Sequence, residues 1–331
     1  MKTTFLSSPN HISYGQATLA PLEKNEVRVA IDQVGICGSD VHLFLGHRAL
    51  PNNIALGHEA IGVISEVGPG VSKNRLGERV VIEPNITCGE CRFCKEERPN
   101  ICIEKKVIGL TLNGCFAEYV TLPSDFAHPL PSKISDKDAV VIEPMAVAFH
   151  ALNSVSLSKG NCIAILGLGA VGLLLAHLAI EMGFEVVASD TVDSKCELAK
   201  AFGATIVDVT DLENQWKNKD VRAVFECAGA KTTASIAFSS APHGSTVVLL
   251  GLSESYAEFQ PLKIVRSGIT IVPSIIYNHP NDFKKVIQLI EHNVIQPRKI
   301  ISLYKKFDEL QDAFELAVSG AYPKIIIDIT S

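Results

Sequence analysis

The chain has 331 residues, of which 47% are hydrophobic and 20% are charged. These values are typical of globular proteins and exclude a disordered or fibrous chain. The net charge of -6 provides no general attraction to nucleic acid or to anionic lipid. At about 150 residues per domain, the length predicts roughly two domains.

The first residues, MKTTFLSSPN, lack the apolar core of a signal peptide. The longest apolar run, residues 162–180, contains three glycines and a histidine. We therefore expect a buried strand followed by a buried helix there, rather than a membrane span. These features predict a cytoplasmic protein whose nine cysteines are thiols or metal ligands.

Two kinds of secondary structure follow one another along the chain. The first third contains β-branched or alternating segments separated by Gly and Pro: 26–36, 60–71, 78–84 and 117–123. Short apolar strands then alternate with helical segments, which predicts a parallel sheet covered by helices on both faces; these strands are 162–166, 185–189, 204–208, 222–226 and 246–250. After residue 293 we expect an amphipathic helix ending at Gly320 and a final strand.

A glycine-rich turn follows the strand at 162–166. Gly167, Gly169 and Gly172, with Ala170 and Val171, form a GxGxxG pattern between a strand and a helix. The first glycine permits a tight turn, the second lets a pyrophosphate approach the backbone, and the third lets the helix pack on the strand. The helix N-terminus offers free N–H groups to the phosphates. The pattern predicts dinucleotide binding.

The acidic residue at the end of the next strand indicates which dinucleotide binds. Asp190 is placed to bind the ribose 2′-hydroxyl of NAD and to repel the 2′-phosphate of NADP. Residues 191–193 supply no Arg that could neutralise such a phosphate. We therefore predict NAD rather than NADP as the cofactor.

Four cysteines lie close together in a polar stretch after Pro84. Four thiolates at this spacing can converge on one ion, and zinc prefers such a closed sulfur site in structural roles. An iron–sulfur cluster is the alternative, and a nucleic-acid-binding zinc ribbon would need a basic face, whereas acidic residues here largely offset the basic ones. We predict a structural zinc bound by Cys88, Cys91, Cys94 and Cys102.

A second group of possible metal ligands is spread through the sequence. Cys37 lies in GICGSDVH, His58 and Glu59 in GHE, and Glu143 in VIEP. One Cys, one His and one or two carboxylates make a catalytic zinc site with three protein ligands and an open position. Each residue alone is more often structural, so the prediction depends on their occurring together with the glycine turn and the cysteine cluster.

The motifs G-x-C-G-S-D-x-H, G-H-E, C-x2-C-x2-C-x7-C, E-P-x-x-V-x-x-H and G-x-G-x-x-G occur here in that order. Over essentially its whole length the sequence resembles the zinc-dependent medium-chain alcohol dehydrogenases. It is most similar to the polyol branch (sorbitol, xylitol, idonate and galactitol-phosphate dehydrogenases), with threonine and butanediol dehydrogenases close by.

The resemblance implies an α/β protein that combines a GroES-like, mainly-β catalytic domain with a Rossmann domain built on a doubly wound parallel sheet. We expect the catalytic domain at 1–148, with the structural zinc lobe at 86–104. The NAD-binding domain is expected at 149–292 and a return segment at 293–331. The active site would lie in the cleft between the two domains.

The same resemblance implies roles for individual residues. Cys37 and His58 become ligands of a catalytic zinc. Glu143 stands where other alcohol dehydrogenases have a Cys, and either Glu143 or Glu59 supplies the third protein ligand. Asp40 matches the carboxylate that orients the zinc-bound histidine.

Two further residues match a proton relay. Ser39 accepts the proton of a substrate hydroxyl that zinc has made more acidic, and His42 passes that proton to solvent. NAD then receives the hydride. Cys227 and Gly251 fall at later strand ends, which would face the cofactor.

The sequence says less about the substrate. A zinc site with a carboxylate suits vicinal diols and polyols, whose second hydroxyl can reach the metal. Ile276 stands where sorbitol dehydrogenases usually have an Arg before the Tyr, which argues against sorbitol itself. Arg48 could bind an acidic group of a sugar derivative or be a solvated loop residue.

We therefore predict a zinc- and NAD-dependent alcohol or polyol dehydrogenase whose partner is a small-molecule alcohol. No nucleic-acid or membrane partner is expected. Alternatives are a threonine or butanediol type, a zinc-free quinone or enone reductase, and a non-catalytic NAD-binding protein; Cys37, His58 and Asp190 argue against the reductase. A homodimer or homotetramer is expected, with an edge strand within 269–276 as the candidate contact.

Overall fold

The computed structural model describes residues 1–47 and 54–330. It divides the chain into one compact unit, Met1–Glu143 with Asn278–Ser331, and another, Pro144–Tyr277. The expected boundaries are 148/149 and 292/293, whereas the units of the structure divide at 143/144 and 277/278. Residues 278–292 group with the first unit, where Phe283 stacks on His128 with 5.0 Å between ring centroids.

Strands make up most of the first unit, whereas strands and helices alternate in the second. In chain order the strands are β1 Lys2–Ser8, β2 His11–Gln16, β3 Glu26–Gly35, β4 Glu59–Val67, β5 Arg79–Ile82, β6 Asn85–Ile86, β7 Lys106–Val107, β8 Tyr119–Pro123, β9 Ala127–Pro129, β10 Cys162–Leu166, β11 Glu185–Ser189, β12 Thr205–Ile206, β13 Val221–Glu226, β14 Thr246–Leu249, β15 Thr270–Pro273, β16 Ile301–Lys306 and β17 Lys324–Asp328. The helices are α1 Gly38–Phe44, α2 Arg92–Lys95, α3 Asp136–Ala139, α4 Ile142–Asn153, α5 Ala170–Glu181, α6 Asp193–Phe202, α7 Leu212–Asn218, α8 Lys231–Ser240, α9 Pro261–Ser267, α10 Asn281–Glu291 and α11 Leu310–Val318.

The first unit is built around a seven-stranded sheet in the order β16-β17-β3-β4-β5-β9, with β8 also paired to β3. Strand β3 is central because it pairs antiparallel with β17, β4 and β8. The register places Gly35 of β3 opposite Ile326 of β17 and opposite Glu59 of β4. Strand β17 therefore lies directly beside β3, which leads to Cys37, and β3 separates it from β4, which begins at Glu59.

An aromatic cluster attaches helix α1 to the end of the chain. Phe44 of α1 stacks on Phe314 of α11 at 4.9 Å between centroids, and Phe116 meets Phe314 edge-on at 5.7 Å. These three rings are at most 1% exposed. Burial of rings of this size contributes strongly to stability, so α1, which carries Asp40 and His42, is held firmly against the core.

The second unit contains a six-stranded parallel sheet in the order β12-β11-β10-β13-β14-β15. The order reverses direction between β10 and β13, which makes a switch point where dinucleotides bind in doubly wound sheets. The expected α/β fold with a Rossmann sheet is therefore confirmed.

The apolar run at 162–180 forms the predicted strand and helix. All five residues of β10 are buried, and α5 buries eight of its residues. Among the described residues, no helix combines enough length with enough hydropathy to cross a membrane.

Candidate metal centre and dinucleotide site

Three predicted ligands meet at one end of the first unit's sheet. The possible ligand atoms of Cys37, His58 and Glu59 all lie within 4.8 Å of one another. Cys37 follows the end of β3 and caps helix α1, while Glu59 begins β4, directly opposite Gly35. A Cβ atom at position 35 would collide with the Glu59 carboxylate, so glycine is needed there to let the carboxylate lie over β3.

Asp40 ties the two ligand-bearing segments together. Its side chain is fully buried, and one carboxylate oxygen accepts the Cys37 N–H at 3.0 Å. The other oxygen accepts the Gly57 N–H at 3.3 Å and lies 3.4 Å from His58 Nδ1. Asp40 thus holds the backbone at Cys37 and at Gly57 and places its carboxylate beside the His58 imidazole.

A lysine that sequence reasoning missed completes the surroundings. Lys324 of β17 is 1% exposed, and its ammonium donates to both Glu59 oxygens at 2.5 and 2.8 Å and to the Ile36 carbonyl at 3.0 Å. Burial opposes the charge on Lys324, but Glu59 and Cys37 outweigh it and raise the pKa of Lys324 above its ordinary value. The only sign of this role in the sequence is that a Lys occupies the first position of the apolar strand KIIID.

The centre carries a negative field. Burial disfavours a charged His58, yet Asp40 and Cys37 overcome it and raise the pKa of His58 well above its usual range. The same field favours a divalent cation bound by neutral His58. Nearby Cys115 differs, because burial raises the pKa of its thiol to about 12 and keeps it protonated. One thiolate, one imidazole and one carboxylate match a three-ligand zinc site with an open position.

The other residues expected at this centre lie as follows. Ser39 and His42 sit three residues apart on α1, so they share a helix face; Ser39 is half-buried and His42 is exposed. His42 Nδ1 lies 3.4 Å from His47 Nδ1. Glu143 lies in the first turn of α4 and is 5% exposed. It is not part of the group formed by Cys37, His58 and Glu59, although its charge helps to raise the pKa of Lys324. Arg48 lies outside the described residues.

The four cysteines of the lobe converge as a second metal-binding group. Sulfur–sulfur distances are 3.5 Å for Cys88–Cys102, 3.6 Å for Cys91–Cys94 and 3.9 Å for Cys88–Cys94. Around a tetrahedral zinc with Zn–S bonds of about 2.3 Å, the sulfurs would be separated by about 3.8 Å. The observed spacing therefore suits a closed structural zinc site.

The glycine turn of the second unit has the geometry of a phosphate cradle. Gly167 has φ of +92° and donates its N–H to the Ser189 carbonyl. A Cβ at Gly172 would collide with the Gly167 carbonyl, which shows why the helix packs closely only with glycine there. A Cβ at Gly169 would instead enter open space beside the N-terminus of α5. A pyrophosphate can therefore occupy that space.

Asp190 stabilises this turn from the neighbouring strand. One carboxylate oxygen accepts the Leu168 N–H at 2.6 Å and the other accepts the Val192 N–H at 2.9 Å. Its acidic group is thereby held beside the glycine turn, where a ribose hydroxyl would meet it.

The ends of β13 and β14 form the other side of the switch point. The Cys227 N–H donates to the Leu166 carbonyl, and the Gly251 N–H donates to the Glu226 carbonyl. The buried Glu226 carboxylate accepts the N–H groups of Ala228 and Gly229 at 3.1 and 3.0 Å. These bonds hold the two loops at the carboxyl edge of the sheet, next to the glycine turn.

Comparison with known proteins gives matches over nearly the whole chain. A family model for the alcohol dehydrogenase GroES-like domain matches residues 23–132, and one for zinc-binding dehydrogenases matches residues 170–292. L-threonine 3-dehydrogenase of Marinomonas sp. is 31% identical over 92% of this chain and 92% of its own length. Sorbitol dehydrogenase of Bacillus subtilis is 28% identical over 96% and 94%, respectively.

A solved structure agrees with these sequence matches. An alcohol dehydrogenase (rspB) from Escherichia coli CFT073, crystallised with NADH, superimposes with a TM-score of 0.93 and is 28% identical, covering 99% of each chain. Both halves of the fold and the order of their motifs are thus matched together. The chain belongs to the zinc-binding alcohol dehydrogenase family.

Proposed function

We propose that the protein oxidises a secondary alcohol of the polyol type, with NAD as hydride acceptor and zinc at the Cys37–His58–Glu59 group. The observation that carries the proposal is the convergence of these three donors within 4.8 Å. It is supported by the family membership and by the phosphate cradle of the Rossmann unit.

Zinc bound at this group would supply Lewis-acid activation of the substrate hydroxyl. The protein's own residues do the rest. Asp40 orients His58, and Ser39 accepts the hydroxyl proton from its half-buried position on α1. His42, exposed on the same helix face, passes that proton to solvent.

Two carboxylates compete for the place of third ligand. Glu59 lies closest to Cys37 and His58, but both its oxygens are bonded to Lys324. Glu143 stands in the position that the sequence motif assigns to a ligand, and its charge also acts on Lys324. We propose that the Lys324 ammonium determines which of the two carboxylates binds the metal. It neutralises one carboxylate while the other serves as the ligand.

The substrate class follows from the carboxylate at the metal and from the relatives. Sorbitol dehydrogenase acts on a polyol and L-threonine 3-dehydrogenase on an amino alcohol, and both are similar to this chain over more than nine-tenths of its length. A vicinal polar group on the substrate is common to the two. Ile276 replaces the Arg expected of sorbitol enzymes, so we propose another polyol or sugar derivative, with a threonine-type substrate as the second candidate.

The cofactor is proposed to be NAD because Asp190 holds a negative charge beside the ribose position. Its carboxylate accepts two backbone N–H groups and would repel a 2′-phosphate, and residues 191–193 supply no Arg that could neutralise one. None of the nine cysteines is in a disulfide, which favours a reducing compartment such as the cytoplasm.

We also propose a homodimer joined through β15, one of the two edge strands of the described Rossmann sheet. Apolar side chains are exposed on this strand and on the preceding helix: Ile271 is 39%, Leu262 54% and Val265 78% exposed. A second copy pairing along β15 would satisfy the strand's unpaired backbone groups and cover these side chains.

The first experiment measures NAD reduction by the zinc-loaded protein with polyols, sugar acids, sugar phosphates, threonine, butanediols and simple secondary alcohols. One group should give a clear rate.

The Glu143→Ala variant should lose at least about a hundredfold in kcat/KM, about 2.7 kcal/mol of transition-state stabilisation, while keeping the lobe zinc. Absence of turnover with every alcohol, or an equally active Glu143→Ala variant, would contradict the proposal.

Replacing Asp190 tests the cofactor assignment. In Asp190→Ser the repulsion of a 2′-phosphate is gone, so the ratio of kcat/KM for NADP to that for NAD should rise by about ten- to a hundredfold, or about 1–3 kcal/mol. Asp193→Ser is the matched control, since Asp193 is an exposed acid three residues further on. An unchanged ratio in Asp190→Ser would remove Asp190 from the ribose position.

Replacing Lys324 tests the buried ion pair. Lys324→Met leaves the Glu59 charge buried without its partner and should lower the free energy of unfolding by about 3–5 kcal/mol. The double variant Lys324→Met/Glu59→Gln removes both charges and should recover most of that loss. Denaturant unfolding followed by circular dichroism measures both; equal destabilisation of single and double variants would mean that the pair is not the cause.

A charge on the edge strand tests the dimer. Ile271→Lys should convert the protein to a monomer in light scattering at micromolar concentration. Val318→Lys is the control, because Val318 on α11 is similarly exposed, at 41%. A dimer that survives Ile271→Lys, or a monomeric parent protein, would rule out this interface.

A further inference from the structure

A third group of possible metal ligands lies in the first unit, outside both zinc centres. It consists of Glu83, His128 and His279, whose donor atoms all lie within 4.8 Å of one another. Glu83 follows β5, His128 lies in β9, and His279 precedes α10. The tertiary fold brings them together across 45 and 196 residues of chain.

The two imidazoles face the same carboxylate oxygen. Glu83 Oε2 lies 2.6 Å from His128 Nε2 and 2.7 Å from His279 Nδ1. The Glu83 side chain is fully buried, the His128 side chain is 5% exposed and that of His279 is 20% exposed. The second Glu83 oxygen is buried and has no hydrogen-bond partner within the described parts of the chain. A buried carboxylate with one unsatisfied oxygen is costly unless a cation or a further donor completes it.

Aromatic stacking fixes both imidazole rings. His279 stacks on Phe126 with 4.2 Å between centroids and 15° between planes, and His128 stacks on Phe283 at 5.0 Å and 22°. Rings held in this way keep their nitrogens directed toward Glu83 without needing the hydrogen bonds to do so. Rigid support of the donors is what a preorganised metal site requires.

We propose that Glu83, His128 and His279 bind a third divalent metal ion of the zinc class. Two imidazole nitrogens and one carboxylate oxygen suit zinc and its transition-metal neighbours, whereas magnesium and calcium prefer sites made of oxygen. Three protein ligands leave one position for water, on the side where His279 is partly exposed.

The change needed to admit the ion is small. Around a tetrahedral zinc the donor atoms would be about 3.3 Å apart, so each nitrogen withdraws from Glu83 by roughly 0.6 Å on that geometry. Each imidazole binds the ion through the nitrogen that faces Glu83. The second Glu83 oxygen gains a cation nearby.

The site would have a structural consequence. Glu83 and His128 belong to the first passage of the chain through the unit, and His279 belongs to the passage that returns after residue 277. A metal ion bound by all three residues joins the two passages, and its binding energy adds to the free energy of folding of this unit.

Metal counting on the intact protein tests the proposal. After equilibration with excess zinc and removal of free metal by gel filtration, mass spectrometry should find three zinc ions per chain. His279→Gln should bind one fewer. His11→Gln, which replaces an exposed histidine on β2, is the matched control and should keep all three.

Cobalt identifies the site by its ligands. Cobalt at the two cysteine-containing centres gives intense sulfur-to-metal charge-transfer absorption, whereas cobalt bound by Glu83, His128 and His279 gives only weak ligand-field bands. The third equivalent added to the unaltered protein should therefore add only weak bands, which His279→Gln and Glu83→Gln should abolish. Two metal ions in the unaltered protein, or three that persist in a folded His279→Gln variant, would show that these residues form a hydrogen-bonded ion pair only.

Discussion

The pairing of three strands, β17, β3 and β4, determines the arrangement at the proposed catalytic centre. In this register Gly35 lies between Ile326 and Glu59, so Cys37, Glu59 and Lys324 come together at one end of the sheet. Glu59 and Lys324 are each about 1% exposed, and neither charge would be tolerable there without the other. A shift of register by one residue would turn one of the two side chains to the opposite face of the sheet.

The ligand group depends on this pair and on Asp40. Asp40 binds the backbone at Cys37 and at Gly57 and lies against His58, while the aromatic contact between Phe44 and Phe314 holds the helix that carries it. The donors are therefore positioned by buried hydrogen bonds and packing and do not rely on the metal alone. Such preorganisation lets a bound ion keep an open position for substrate.

The dinucleotide site of the Rossmann unit depends on fewer charged side chains than the metal centre does. Its strands all run parallel, so their carboxyl ends place the glycine turn, Asp190 and the loops after β13 and β14 at one edge. Gly167 turns the chain, Gly172 lets α5 approach it, and Gly169 leaves open space for phosphate. Here the local sequence almost completely specifies the site, because a strand, a turn and a helix that are adjacent in the chain build most of it.

The sequence by itself determined whatever depends on neighbouring residues. The strand–helix alternation, the glycine turn and the α/β class could be predicted because hydrophobic period and glycine positions are local properties. The spacing of the four cysteines likewise predicted a cluster. In the structure the sulfurs of three pairs, Cys88–Cys102, Cys91–Cys94 and Cys88–Cys94, are 3.5–3.9 Å apart. Only the tertiary structure decided which distant side chains share a site. It placed Lys324 on Glu59 and brought Glu83, His128 and His279 together. It also assigned residues 278–292 to the first unit. None of these could be predicted from the sequence, because pairs of buried charges and stacked rings that are distant in the chain leave no periodic signal in it.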